Sequence, residues 1–107
     1  MKKRAKSPRV RRDRSTLVLQ SEYTTATAAE LKAALVPLFA YHETIGLDAS
    51  GAMRVGTAAL QVLAAFVRDR RAQGRLTEWH GPSPAFVDAA RLLGLTELLD
   101  LSAEQAA

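Results

Sequence analysis

The chain reads as an α/β domain in which one mixed, mostly parallel sheet is flanked by helices. Two observations predict this class. Short β-prone runs alternate three times with amphipathic runs of helical period, and the amphipathic runs carry capping or stop signals of their own. Such alternation calls for parallel strands joined by right-handed helical crossovers. Length is the third constraint, because 107 residues support a single core.

Residues 17–20 form the first compact β-prone run, and Val10 marks a short edge strand around residues 9–12. Thr27 stands three residues before Glu30, the spacing of a capping box. Behind it Leu31, Ala34, Leu35, Leu38 and Phe39 share one helical face. Pro37 removes a backbone donor, so this helix, read over 27–36, kinks or stops near Val36. A second strand is expected at 44–47, followed by a polar, glycine-bearing loop over 48–54. Residues 57–73 are the strongest helix. Leu60, Leu63 and Val67 mark its inner face, with Val62 and Phe66 on a flank, and Arg68, Asp69, Arg70 and Arg71 read as solvated. Arg70 and Arg71 in the last turn suit the negative end of the helix dipole, and Gly74 supplies the stop. A third strand is expected at 76–80, broken by Gly81 and Pro82. Ser83 then Pro84 place an N-cap and an N1 proline at the start of a helix over 83–93. Phe86, Ala89, Ala90 and Leu93 face the core, Gly94 ends the helix, and 96–99 add one turn.

Charge is distributed unevenly. Residues 1–14 carry eight basic side chains against Asp13 alone, a net +7, while the other 93 residues net −3. The reading is a basic, disordered tail over 1–14 and a slightly acidic domain over 15–107. The tail offers phosphates or anionic lipid a salt-dependent contact. It has no aromatic residue for base stacking, so no specific nucleic-acid partner is expected. The absence of cysteine excludes disulfides and thiolate metal sites. No apolar run approaches the roughly 20 residues that span a bilayer, and the start lacks the apolar stretch of a signal peptide. The expected location is the cytoplasm.

Little in the sequence points to catalysis. Asp48, Ser50 and His80 supply the residue types of a triad, but no nucleophile elbow surrounds Ser50. His42 and His80 lack the acidic cluster that a metal site needs. Gly51 and Gly56 have neither the lysine nor the spacing of a phosphate loop. No cofactor is expected. Trp79 reads as a partly buried packing residue and Phe86 as core.

The informative stretch is 47–63, LDASGAMRVGTAALQVL. A strand ends at Asp48, a loop follows, and Gly56, Thr57, Ala58 and Ala59 open an amphipathic helix. Small side chains there leave the first helical amides uncovered beside one hydroxyl, which makes a close-approach surface at the positive dipole end. The plainer reading is that Thr57 is the N-cap and the alanines only pack.

This series resembles the STAS domain family, the anti-sigma-factor antagonists and their relatives. Asp48, Ser50 and Gly51 match that family's D-x-S-G loop, and Thr57, Ala58 and Leu60 match its following D-[ST]-[SA]-G-L turn. Ser21, Glu22 and Tyr23 lie where the family has a strand end. Gly74-Arg75-Leu76, Gly81-Pro82-Ser83-Pro84 and Leu92-Leu93-Gly94-Leu95 resemble its third strand, last helix start and closing turn. The resemblance spans about residues 16–101. It implies a non-enzymatic protein that docks onto a protein partner through Asp48, Ser50, Gly56, Thr57, Ala58 and Gln61. In phosphorylated members the residue at the Thr57 position is the kinase target. Here the usual preceding acid is Gly56 and the usual glycine two residues later is Ala59. The partners implied are an anti-sigma factor or serine kinase, a chemotaxis protein or, in a branch resembling the MlaB subunit of lipid transporters, an ABC transporter ATPase.

Overall fold

The computed structural model describes residues 9–10 and 15–106 of the chain. Strand β1 (Arg9–Val10), β2 (Thr16–Val18) and β3 (Glu22–Tyr23) are followed by helix α1 (Thr25–Leu35) and a single 3-10 turn, Val36–Leu38. Then come β4 (Ile45–Asp48), β5 (Arg54–Val55), α2 (Thr57–Ala72), β6 (Thr77–His80), α3 (Pro84–Leu92) and the short α4 (Ala103–Ala106). The class is α/β, with helices flanking mostly parallel strands. Among the described residues β2–β4, β4–β6 and β3–β5 pair in parallel, and only β1–β2 is antiparallel.

Pairing is split between two sheets where one was expected. The main sheet runs β1-β2-β4-β6, and β3-β5 stands apart as a two-stranded ribbon. The chain turns between β2 and β3, where Ser21 O accepts from both Met53 N and Arg54 N. Those bonds start the ribbon, and they convert the end of the expected 48–54 loop into β5. The β1 edge strand lies where Val10 signalled it. The expectation of a disordered tail falls mainly on residues 1–8 and 11–14, outside the described residues.

Register explains the one-sided core. Leu17, Leu47 and Trp79 stand opposite one another across β2, β4 and β6 and are all buried. Because side chains alternate along a strand, Ile45 joins this face. It meets Leu31, Leu35, Leu60, Leu63 and Val67 from the helices and Phe86 and Ala90 from α3. Trp79 is more buried than expected, at 6% exposure. Its ring lies 4.9 Å from Phe86 and its Nε1 donates to Leu99 O at 2.7 Å. No described helix is long and apolar enough to cross a membrane.

Thr16, Gly46 and Glu78 form the matching row on the opposite face. A Cβ added at Gly46 would lie 2.8 Å from His80 Cε1 and 2.9 Å from Thr16 Oγ1. Thr16 is buried and cannot withdraw. Gly46→Ala is therefore expected to cost about 1–3 kcal/mol through overpacking, read as a lower urea midpoint. Adding His80→Ala should recover part of that loss, since the two sites share one space.

Besides Leu93, expected to face the core but exposed at the C-cap of α3, three local readings need correction. The first helix is capped by Thr24 rather than Thr27. Thr24 Oγ1 accepts from Thr27 N while Thr27 Oγ1 accepts from Thr24 N, so Thr27 occupies N3 of a reciprocal box. Threonine fits either role, and Tyr23, buried just before, sets the earlier entry. Pro37 ends α1 as expected, with the chain tightening into the 3-10 turn. At α2 the N-cap is Gly56, with no side-chain cap, and Thr57 is N1. The third correction is Arg70, which is wholly buried rather than solvated. By contrast Ser83 caps α3 as read, its Oγ accepting from Phe86 N, and Gly74 and Gly94 take the positive φ of helix stops.

Candidate functional site

The loop after β4 is built on Asp48. Its Oδ1 accepts from Ser50 N at 3.0 Å and from Ser50 Oγ at 2.7 Å, a compact turn closed by its own side chains. Buried Ala49 and Ala52 pin that turn to the start of α3. Ala49 O accepts from Ser83 N, and Ser83 Oγ donates to Ala52 O. Ser50 thus donates its hydrogen bond directly to a carboxylate, whereas a hydrolytic triad sets an imidazole between the two. Among the described residues no group of three or more His, Asp or Glu is placed to hold a metal ion.

Gly56 is positioned from the ribbon side. Its N donates to Tyr23 O at 3.1 Å, and a Cβ at this position would lie only 3.1 Å from the same oxygen. A residue without a side chain therefore suits the point where the chain enters α2. From there Thr57 is exposed, Ala58 half-buried and Gln61 exposed. The first turn of α2 carries no acidic residue, so no carboxylate of the helix's own first turn offsets its positive end.

Ala58 and Gln61 open into a groove of about 650 Å³ between α1 and α2. Val62, Ala65, Phe66 and Asp69 continue the α2 side, with the alanines at 58 and 65 on one stripe about two turns apart. Lys32, Leu35, Val36 and Phe39 form the opposite wall. Val36 is 62% exposed although apolar, as befits a residue placed by the 3-10 turn on the rim. The structure brings Ala58 and Gln61 together on this groove, with Thr57 at its α2 end. Asp48 and Ser50 do not line it.

Arg70 holds that wall from beneath. Its Nη1 donates to Leu38 O, Phe39 O and Tyr41 O at 3.2, 3.1 and 2.9 Å. Its Nη2 donates to Glu43 O and Leu76 O at 3.0 and 2.7 Å, and its Nε to Thr77 Oγ1 at 3.2 Å. The guanidinium thus gathers carbonyls of the 3-10 turn, the following loop and the start of β6, two of which, Leu38 O and Leu76 O, also accept from Tyr41 N and Ile45 N. Its Cζ lies 5.8 Å from the centre of the Phe66 ring, which lines the groove. Burial, and then the charge of Arg75, lower its pKa. Arginine's ordinary value is high enough that the group stays a cation at neutral pH. Burial likewise raises the pKa of the Tyr23 phenol, whose oxygen accepts from Gln20 N.

Apart from Ala58 and Gln61, the groove residues and Arg70 carry no functional reading in the sequence, although spacing holds part of the signal for Arg70. Leu60, Leu63, Val67 and Arg70 follow one helical phase, which points Arg70 inward.

Comparison with known proteins bears on the fold. A family model described as Mlab, STAS domain matches residues 8–100. Among solved structures the chain is similar to one described as "Crystal Structure Analysis of Mglu", with a TM-score of 0.59 and 25% identity. That match covers 70% of this chain, which spans only 19% of the other. No curated protein matches the chain.

Proposed function

We propose that this chain, which belongs to the STAS domain family, acts as a non-enzymatic cytoplasmic adaptor that docks onto a protein partner through the start of α2. The observation that carries this reading is the continuity of the uncapped α2 start with the apolar α1–α2 groove through Ala58 and Gln61. Small side chains permit close approach there, and the groove supplies the apolar area that an interface core needs. The pinned Asp48–Ser50 turn is a rigid neighbouring contact. Because the matching family model is described as Mlab, an ABC transporter ATPase is the favoured partner, ahead of an anti-sigma factor or serine kinase and of a chemotaxis protein.

A phosphorylation switch is the second reading, favoured by the exposure of Thr57 at N1. Gly56, in place of the customary acid, ranks it below the constitutive adaptor.

The test begins with capture of the partner by the full chain from native lysate, followed by calorimetry on two variants. Neither should unfold, because Thr57 caps nothing and a glutamate at N1 gains about 0.3–1 kcal/mol from the helix dipole. A constitutive adaptor using the hydroxyl predicts weaker binding for both Thr57→Ala and Thr57→Glu, by roughly tenfold for the glutamate. A phosphorylation switch predicts loss for Thr57→Glu alone. Unchanged affinity in both removes Thr57 from the interface.

A further inference from the structure

The outer edge of β6 carries a device that the docking role does not use. In a parallel ladder only alternate residues of a strand bond to a given neighbour. Leu76 O accepts from Ile45 N at 3.1 Å, and Ile45 stands opposite Thr77. Thr77 and Trp79 therefore turn their backbone groups away from β4. Since β6 is the last strand in the order β1-β2-β4-β6, those groups face an edge on which, among the described residues, no strand pairs and where another strand can add.

One of them is occupied. Gln105 Nε2 donates to Trp79 O at 3.0 Å. The other end of the same amide is also fixed, with Gln105 Oε1 accepting from Ser102 N at 3.1 Å while Ser102 Oγ accepts from Gln105 N at 3.1 Å. This is a capping box of the S-x-x-Q type whose glutamine has a second task. The segment leading to it is anchored independently. Leu99 and Leu101 are buried, and Leu99 O holds the Trp79 indole. Asp100, at a φ of 62°, turns the chain between them. The turn bearing Gln105 is a strap laid over the strand edge from a fixed post.

We propose that Gln105 guards the β6 edge against antiparallel pairing with β6 of a second copy of this chain. The charge pattern of the strand selects that occupant. With Trp79 opposite its own counterpart, the outward-facing groups of both strands meet as a hydrogen-bonded pair. Glu78 and His80, paired along the strand at 3.5 Å within one copy, are both exposed and on one face, so Glu78 of each copy can exchange its own His80 for that of the other across the strands. Centring the pair on Glu78 would oppose two carboxylates, so one register stands out. Such a two-fold pairing is self-complementary and closed.

Gln105→Glu tests the guard in the full chain. It keeps an oxygen for Ser102 N, loses the amide hydrogens, and sets a negative charge against the Trp79 carbonyl. Sedimentation equilibrium over a concentration series should show self-association tightened roughly tenfold over the native chain, the scale of one competing hydrogen bond. Circular dichroism should report an unchanged fold. Adding Glu78→Lys, which sets a cation against His80, should return the association constant to its native value. An unaltered constant in Gln105→Glu would overturn the proposal. So would a dimer that persists in the double variant, because it would have formed through another surface.

Discussion

Replacing Arg70 by methionine is expected to destabilise the fold by about 3–5 kcal/mol, the scale seen when one partner of a buried charged network is removed. Five carbonyls and one hydroxyl now receive its donors. Leu38 O and Leu76 O keep backbone donors, but each other buried acceptor left without one costs on the order of 1–3 kcal/mol, partly relieved as the loop over 39–44 admits water. Against a typical domain stability of about 5–15 kcal/mol, the variant should be marginal at 37 °C, with a much lower denaturant midpoint. Arg70→Lys should fall between the two. It keeps the charge, but a compact ammonium has three donors and no planar fork with which to reach both sides of the loop. A methionine variant as stable as the native chain would mean that the carbonyls are readily satisfied by water and that Arg70 is incidental. The same substitution should weaken docking even in molecules that remain folded, because Phe39 on the groove wall gives its carbonyl to Arg70.

That residue also marks where sequence patterning stopped being readable. Strand and helix alternation, the Ser83 and Pro84 start and the glycine stops were all legible, because each follows from local periodicity or a local cap. Arg70 stood in a run of three arginines and one aspartate, where composition argues for solvent. Only the helical phase from Leu63 through Val67 argued against it, and phase does not reveal a nest of carbonyls, four of the five brought from 27 to 32 residues away. The ribbon of β3 and β5 escaped because two-residue strands have no period. Thr27 carried the local spacing to Glu30, but Thr24 caps the helix, a choice that depended on where Tyr23 became buried. Within the candidate site, Ala58 and Gln61 were visible as the small and polar opening of α2. The facing wall was not. Val36 and Phe39 reach the groove through a 3-10 turn whose direction depends on Pro37 and on Arg70 together. Gln105 was equally hidden, since a short S-x-x-Q pattern says nothing about which distant carbonyl its amide meets.

The largest functional effect is expected from filling the groove at its α2 end. Ala58 is half-buried and lines the opening beside Gln61. Ala58→Trp should place an indole in the space that the proposed partner must enter. The native fold has room for it, because the groove is open and holds about 650 Å³. The change should therefore cost little stability, about 0.5 kcal/mol in helix propensity, offset in part by apolar area newly covered. Binding is a different matter. A close-packed interface core matches the density of a protein interior, so an inserted indole cannot be accommodated by small shifts. Calorimetry with the captured partner should show affinity reduced by about a hundredfold or more, equivalent to roughly 2.7 kcal/mol, at an unchanged melting temperature. Ala65→Trp, about two turns further along the same stripe, maps how far the interface extends. Loss in both variants places the partner along the whole groove, whereas loss only at Ala58 confines it to the start of α2. Native affinity in both would remove the groove from the interface and with it the proposed docking mode, leaving the Asp48–Ser50 turn as the surface to test next.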